Sequence, residues 1–194
     1  MNENTGRRAG LEAYLLARTT IIVDGYQDEI DYVRNIKPIS EQKEADFFRE
    51  FVWVVLNAGM KEQIARKIFD KYFDSCGDSS VIGHKGKRDA IEQGFVYSKK
   101  WFEHLQLLHT TQSQLNFFES LPWVGPITKY HLARNLGIDC VKPDRHLVKW
   151  AKKLGYVSPY DMCRDIQYFM EEPKEKLGVI DVILWRYCNL YGVP

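Results

Sequence analysis

The stretch Leu121-Pro-Trp-Val-Gly-Pro-Ile-Thr-Lys-Tyr-His-Leu-Ala-Arg-Asn-Leu-Gly137 decides which fold this chain adopts. One helix is predicted to end at Leu121, and Pro126, at a first-turn position, starts a second helix that Gly137 terminates. Main-chain N–H groups at the start of a helix have no intrahelical partners, and such groups bind phosphate oxygens. The pattern therefore predicts a helical hairpin, which is either a packing corner or a site that contacts a phosphate backbone.

A second motif, Val141-Lys-Pro-Asp144-Arg-His-Leu, follows the hairpin. Pro143 restricts the backbone ahead of a helix that begins with an acidic residue, so one interpretation of Asp144 is an N-cap. The other is a partly buried carboxylate that faces a cleft. Such a group stabilises a developing oxocarbenium ion and holds or deprotonates a water, which is the chemistry that breaks a glycosidic bond.

The charge of the chain is concentrated around these two motifs. The 194 residues include 27 Lys+Arg and 26 Asp+Glu, and the net charge of +1 gives no overall attraction to nucleic acid. Residues 121–155, however, hold seven basic and only two acidic residues. A local field of that sign suits a phosphate backbone, and a solvated helix face is the alternative. The basic residues are Lys129, Arg134, Lys142, Arg145, Lys149, Lys152 and Lys153.

Apolar residues recur at helical spacing nearly throughout, which predicts an all-α protein of nine or ten short helices. Residues 11–36 are predicted to form a helix interrupted near Asp24-Gly25, with residues 19–23 as an alternative strand that lacks a partner. Ser40 is a predicted N-cap, and Ile64, Ile68 and Tyr72 are predicted to share one helix stripe. A polar loop is predicted for residues 74–87, and breaks are predicted around Gly94 and at residues 109–111.

Composition excludes several other classes of protein. With 45% hydrophobic and 27% charged residues the chain is not disordered, and no apolar run reaches the roughly 18 residues of a membrane span. The charged N-terminal segment, residues 1–18, does not resemble a secretory signal, so we expect a cytoplasmic protein. The four cysteines lack CxxC spacing, which predicts free thiols rather than a disulfide, a zinc site or an iron-sulfur cluster.

These motifs together resemble the helix-hairpin-helix DNA glycosylase superfamily, endonuclease III group, whose hairpin has the sequence LPGVG-x-K-T and whose catalytic aspartate follows in a V-D-x-H context. Residues 51–68 are similar to the family's helix, turn and helix, and Gly94-Phe-Val-Tyr-Ser-Lys99 is similar to its G-(F/L)-x-x-S-K loop. The last helix, with Asp181, Trp185 and Tyr187, is similar to its final pocket helix. The matching motif residues are Leu121, Pro122, Val124, Gly125, Thr128, Val141, Asp144 and His146.

The resemblance covers roughly residues 40–190 and implies an all-α fold of two helical subdomains with a DNA-binding cleft between them. Residues 1–194 would form a single glycosylase domain. Within it, residues 40–138 would be a six-helix subdomain with the hairpin at residues 112–137, and residues 1–39 plus 139–194 would be the second subdomain.

The resemblance also assigns roles to individual residues. The catalytic aspartate corresponds to Asp144, and the phosphate contacts correspond to the main-chain amides of Trp123, Gly125 and Ile127, with Thr128 in the same motif. A structural potassium or sodium ion would be held by the main-chain carbonyls of Glu119, Leu121 and Val124. Phe95 corresponds to a wedge that enters the duplex, or is an ordinary core aromatic. Lys99, Lys129 and Arg145 are candidate phosphate contacts, or simple solvated charges.

Several residues depart from the family pattern, and these departures bear on lyase activity and on the recognition of the base opposite the excised one. Ile127 occupies the position of the lysine that forms a Schiff base in members that cut the backbone, and Lys129 lies about 200° further around the helix. Gly59 replaces a glutamine that often probes the orphan base, and Trp123 replaces the first glycine of the turn. The iron-sulfur cysteines are absent from the sequence.

The sequence therefore predicts a monomeric, monofunctional glycosylase that flips a modified base out of double-stranded DNA, hydrolyses its N-glycosidic bond and leaves an abasic site. No cofactor is expected to be required. Alkylated purines, oxidised guanine and modified pyrimidines such as the glucosylated hydroxymethylcytosine of phage DNA all remain candidate substrates, so a role in repair and a role in phage defence both stay open. A catalytically inactive helix-hairpin-helix DNA-binding protein and a helical protein-interaction domain are the alternatives.

Overall fold

The computed structural model describes residues 3–193, with side chains from Ala9 onward, and within this range it contains helices and no strands. The all-α prediction is confirmed, and residues 19–23 are helical rather than a strand. The α-helices are α1 (Glu3–Val23), α2 (Gln27–Asn35), α3 (Glu44–Asn57), α4 (Glu62–Asp74), α5 (Lys85–Gln106), α6 (Thr111–Ser120), α7 (Thr128–Asn135), α8 (Arg145–Lys153), α9 (Pro159–Phe169) and α10 (Leu177–Tyr191). Short 3-10 helices lie at Ile39–Glu41 and Ser79–Val81.

The chain forms two compact units. The terminal unit comprises residues 3–36 and 139–193, and therefore contains α1, α2, α8, α9 and α10. The central unit is Lys37–Ile138 and contains α3 to α7. Each unit has buried apolar residues of its own.

The terminal unit is built around α10, which packs against α1, α2, α8 and α9. The first eight residues of α10, Leu177 to Leu184, are all buried, including Asp181. Side chains that are buried on every side of a helix place that helix in the centre of its unit. Trp150 of α8 is 1% exposed and donates its indole N–H to the Leu184 carbonyl at 3.2 Å, which ties α8 to α10.

The central unit is built around α3, which packs against α4, α5 and α7. A buried lysine of α5 holds the end of α3, because the Lys87 ammonium donates to the carbonyls of Leu56 at 2.6 Å and Ala58 at 2.7 Å. The last carbonyls of a helix have no intrahelical donors, so this cation caps them. Burial lowers the pKa of Lys87. Sequence reasoning placed this residue in a polar loop and missed its role.

Gly94 does not interrupt a helix. The predicted break is wrong, since α5 is continuous from Lys85 to Gln106. A Cβ atom at Gly94 would lie 2.5 Å from Cε1 of Phe51, so glycine is required there for close packing of α5 on α3. The two helices expected on either side of Gly94 are one, and the central unit holds five α-helices where six were predicted.

Two smaller predictions about the central unit are also wrong. Ser40 lies in the first 3-10 helix, and the N-cap of α3 is Lys43, whose N–H donates to the Asp46 carboxylate at 2.9 Å. Ile64 is half exposed, and the buried stripe of α4 is formed by Ala65, Phe69 and Tyr72. Local spacing identified the helices, but the neighbouring helices decide which face of each is buried.

The predicted interruption at Asp24-Gly25 is confirmed, because α1 ends at Val23 and α2 begins at Gln27. Gly25 has a φ of +90°, a conformation that glycine adopts without steric cost. Within residues 3–193, no helix combines the length and the apolar composition that crossing a bilayer requires.

Candidate active site

The turn between α6 and α7 is closed by hydrogen bonds among its own residues. The Val124 N–H donates to the Leu121 carbonyl at 3.1 Å, and both side chains are buried. The Gly125 N–H donates to the Thr128 hydroxyl at 2.7 Å, and that hydroxyl lies 3.3 Å from the Gly125 carbonyl, to which it donates. One of the three amides predicted to contact phosphate is therefore already bonded to Thr128.

The other two predicted amides differ from that of Gly125. The main-chain N–H groups of Trp123 and Ile127 donate no hydrogen bond within the described chain. Ile127 is the N-cap residue of α7, and its side chain, which is 41% exposed, has no atom that can accept a hydrogen bond. The start of α7 thus keeps unpaired N–H groups, which is the arrangement that binds an anion.

Trp123 adopts a backbone conformation that glycine usually occupies, with a φ of +65°. Its ring packs against the start of α5, 5.0 Å from the ring of His84 between centroids. A Cβ atom at Gly86 would lie 2.5 Å from Trp123, so this glycine makes room for the indole. Replacement of the family's glycine by tryptophan therefore adds an aromatic contact between the turn and α5, at a backbone cost of about 1–2 kcal/mol.

Lys129 is not a solvated charge. Its side chain is 12% exposed and forms an ion pair with Glu119, which links the two helices of the hairpin. The Lys129 ammonium also lies 5.4 Å from the centre of the Tyr130 ring. Its charge is therefore engaged within the hairpin in this structure.

The predicted N-cap role of Asp144 is confirmed. Asp144 is the N-cap of α8, and its Oδ1 accepts from the N–H groups of His146 at 2.9 Å and Leu147 at 3.1 Å. The partial positive charge at a helix N-terminus stabilises a carboxylate. Neither capping bond uses Oδ2, so the cap fixes the carboxylate through one oxygen.

The segment before Asp144 is attached to α10 at two points. The Lys142 N–H donates to Oδ2 of Asp181 at 2.5 Å, and the Gly178 N–H donates to Oδ1 of Asp139 at 2.9 Å. Asp181 is 1% exposed. Sequence reasoning named Asp181 only as part of the last helix and missed Asp139, whose position five residues before Asp144 was the available signal.

Cys188 of α10 is the titratable neighbour of Asp144 in the terminal unit. Burial, with a smaller contribution from the Asp144 carboxylate, raises the pKa of Cys188 to about 11. The thiol is 4% exposed. Cys188 therefore stays protonated near neutral pH and adds no second negative charge beside Asp144.

The predicted wedge Phe95 lies within α5 and not in a loop. Its ring is 70% exposed and makes an edge contact with Phe48 at 6.0 Å between centroids, so the core-aromatic alternative is wrong. Ser98, three residues further along α5, is buried and donates to Glu44. Lys99 is exposed.

The basic residues of α8 lie on its exposed face. Leu147, Trp150 and Ala151 bury the other face. Arg145 is exposed and its Nε lies 3.4 Å from Nε2 of His146, to which it donates. The remaining exposed cations of this helix are Lys149, Lys152 and Lys153.

Gly59 lies in the turn after α3 with a φ of +67° and is exposed. A glutamine there would adopt a strained left-handed conformation. The turn geometry therefore favours glycine at position 59. Within residues 3–193, no three His, Cys, Asp or Glu side chains group closely enough to hold a metal ion.

No protein-family model and no curated protein matches this chain in sequence. Its structure is similar to the crystal structure of the Methanocaldococcus jannaschii 8-oxoguanine glycosylase/lyase in complex with a 15mer DNA containing 8-oxoguanine. The TM-score is 0.70 at 16% sequence identity, over 95% of this chain and 99% of that chain.

The chain has the helix-hairpin-helix glycosylase fold. The fold predicted from the LPWVG hairpin and the Asp144 motif is confirmed. The similarity extends well beyond the hairpin, because a corner shared between two otherwise different proteins would not align nearly the whole of both chains. Both units of the chain therefore belong to the shared fold.

Proposed function

We propose that this chain is a monofunctional DNA glycosylase, active as a monomer, that excises a modified base from double-stranded DNA. The observation that carries the proposal is the state of Asp144, a carboxylate fixed through Oδ1 at the N-terminus of α8, with Oδ2 unused by the cap. The glycosylase fold supports the same reaction class. The products are a free base and an abasic site.

Asp144 supplies the chemistry in this proposal. As the bond from C1′ to the base breaks, its bonding electrons leave with the base and positive charge develops on the sugar. The ionised carboxylate stabilises that charge, and it accepts the proton of the water that attacks C1′. Because the cap holds the carboxylate in one orientation, the group needs little reorganisation during the reaction.

The DNA contacts involve both units. Phosphate oxygens accept from the N–H groups of Trp123 and Ile127, which have no other acceptor in the described chain. Exposed Phe95 enters the duplex in place of the flipped nucleotide. Lys99 and Arg145 add phosphate contacts that strengthen binding without selecting a sequence.

A monovalent cation, potassium or sodium, fits the end of α6. This helix ends at Ser120, so the carbonyls of Glu119 and Leu121 have no full set of intrahelical donors. The Leu121 carbonyl accepts from Val124, and each carbonyl oxygen has a second lone pair. Main-chain oxygens at the negative end of a helix suit such an ion, which would stabilise the turn.

The absence of a lyase step is part of the proposal. Ile127 has no amine at the position where lyases of the superfamily carry their lysine. Lys129, the nearest lysine along the chain, is paired with Glu119 and largely buried. The ion pair holds the Lys129 side chain within the hairpin, and Lys129 lies about 200° around the helix from Ile127.

The substrate is proposed as a class. The similar M. jannaschii protein is described with 8-oxoguanine in its DNA, and oxidised guanine is therefore one candidate. Alkylated purines and bulky modified pyrimidines, including glucosylated hydroxymethylcytosine, are the others. Gly59 offers no side chain to the orphan base, which favours recognition of the excised base itself over recognition of a mismatch.

A panel of duplexes tests the proposal, each carrying one of these modified bases. Incubation with the purified chain, followed by alkali, should give strand breaks at the modified base, whereas samples without alkali should stay intact. Borohydride should trap no covalent adduct. Intact DNA affinity with no base released from any duplex would instead establish a non-catalytic DNA-binding protein, and a trapped adduct would refute the monofunctional claim.

A further inference from the structure

The peptide group of Lys142 links the turn that presents Asp144 to α10. The Lys142 carbonyl accepts from the Asp144 N–H at 2.8 Å, across Pro143. The Lys142 N–H donates to Oδ2 of Asp181. The same residue therefore connects the backbone of Asp144 on one side and a buried carboxylate of α10 on the other.

α10 is a rigid base for this connection. Asp181 is 1% exposed, and its neighbours Ile180 and Val182 are 0% and 3% exposed, so its side chain has little room to move. The Asp139 carboxylate fixes the start of the same segment to the N-terminus of α10 through Gly178. The backbone that leads to Asp144 is thus attached to α10 at both ends.

A buried carboxylate lowers the stability of the fold unless its oxygens are hydrogen-bonded. A serine or an apolar residue at the same position would have a smaller desolvation penalty. At Asp181 one carboxylate oxygen accepts from the Lys142 amide, two residues before the N-cap of α8, so the buried group fixes the position of the loop that carries Asp144. We propose that Asp181 is a positioning residue, which orients Asp144 for base excision by holding the Lys142 peptide.

This inference rests on the proposed function, because it assigns Asp181 a role in the reaction of Asp144. A position error of about 1 Å at a reacting group costs up to about 100-fold in rate. The consequence of losing Asp181 should therefore appear in the rate of base release and not in DNA affinity, since Asp181 itself is buried.

The test compares Asp181→Leu, which removes the acceptor, with Asp181→Asn, which retains one acceptor oxygen at nearly the same volume. Ser158→Ala is the matched control, because it removes the N-cap bond of α9 to the Asp161 N–H, in the same unit but away from Asp144. Single-turnover base release at saturating enzyme, the Kd for a modified duplex and the Tm are measured for each variant.

We expect Asp181→Leu to lower the single-turnover rate about 10- to 100-fold with an unchanged Kd. Asp181→Asn should retain most of the wild-type rate of base release. Ser158→Ala should have a lower Tm than the wild type and the same rate of base release. A rate for Asp181→Leu equal to that of the wild type, or an Asp181→Asn variant as slow as Asp181→Leu, would overturn the positioning role. Lack of base release by the wild type would instead refute the proposed function.

Amide hydrogen exchange of the wild-type protein tests the idea without any variant, in case Asp181→Leu does not fold. The Lys142 N–H lies outside every helix, so an unanchored loop would exchange it quickly. We expect protection comparable to that of the α10 amides. Exchange as fast as that of exposed loop amides would overturn the proposal.

Discussion

The N-termini of α7 and α8 are built in opposite ways. Both helices begin after a short turn that contains proline, Pro126 before α7 and Pro143 before α8. The N-cap of α7 is Ile127, which makes no side-chain cap, whereas the N-cap of α8 is Asp144, whose carboxylate accepts two main-chain N–H groups. The two ends therefore differ in the N-cap side chain, and they also differ in backbone, which is helical at Ile127 (φ −100°, ψ −40°) and extended at Asp144 (φ −81°, ψ 173°).

The difference separates two uses of the same physical feature. A helix N-terminus attracts negative charge through its unpaired N–H groups. At α7 no side chain uses this attraction, so a phosphate oxygen can. At α8 the Asp144 side chain satisfies the attraction itself, and the result is a carboxylate that is fixed by two hydrogen bonds. In the proposed function, the start of α7 binds a DNA phosphate and the carboxylate at the start of α8 takes part in base excision.

The largest expected effect follows from removing the charge at α8 while keeping its cap. Asparagine caps helices as well as aspartate does, so Asp144→Asn should leave the free energy of unfolding and the DNA affinity nearly unchanged. Base release should fall about 10²- to 10⁴-fold, the usual contribution of an acid–base group. Single-turnover kinetics on the best substrate of the duplex panel measures this loss.

Asp144→Ala is the companion variant, because it removes both the charge and the cap. It should be as inactive as Asp144→Asn and also lose about 1 kcal/mol of stability in urea unfolding. If Asp144→Asn released base at the wild-type rate, Asp144 would be a cap alone and the comparison of the two helix ends would fail.

The next effect follows from making α7 resemble α8. Ile127→Asp places a negative charge at the N-cap of α7, where it should compete with a phosphate for the partial positive charge at the start of this helix. Stability should rise slightly, and DNA affinity should fall about tenfold or more, because hydrogen bonds to a charged phosphate are lost. Fluorescence anisotropy with a labelled duplex measures the Kd.

Ile127→Val is the matched control and should bind like the wild type. Asparagine at the same position separates occupation of the amides from charge repulsion, and Ile127→Asn should fall between the two. Unchanged affinity of the Ile127→Asp variant would mean that DNA does not contact the start of α7.

The smallest effect concerns the backbone of the hairpin turn. Trp123→Ala and Trp123→Gly both remove the contacts of the indole with His84 and Gly86, but only glycine adopts the φ of +65° without steric cost. Trp123→Gly should therefore be more stable than Trp123→Ala by about 1 kcal/mol. Urea unfolding of the two variants, side by side, gives the difference directly. Equal stabilities would show that the turn changes its conformation when the indole is absent.

Much of the fold was predictable because its signals are local. The interruption near Asp24-Gly25, the hairpin and the Asp144 cap each depend on residues within a few positions of one another. Turn residues and N-caps act through the backbone of their own segment, so sequence alone displays them. The match to the M. jannaschii glycosylase/lyase at 16% identity shows that two very different sequences form the same fold.

The errors share a different cause. Gly94 was predicted to break a helix, but its lack of a Cβ is required by Phe51, which is 43 positions earlier in the chain. The sequence pattern predicted Lys87 in a polar loop, although its ammonium donates to carbonyls at the end of α3 that are 29 and 31 residues earlier in the chain. Lys129 is likewise paired with a residue on the preceding helix. No local pattern records contacts of this kind.

The sequence by itself therefore determined the helical class, the hairpin, and the identity of Asp144 as the carboxylate at a helix start. Only the tertiary structure decided that Asp144 is held through one oxygen, that two amides of the hairpin turn lack acceptors, and that Asp181 holds the peptide before Asp144 from α10. The physical reason is the sequence separation between the residues that interact. Caps and turns are set by neighbours in sequence, whereas the orientation of a reactive group is set by buried hydrogen bonds between segments that meet only when the chain folds.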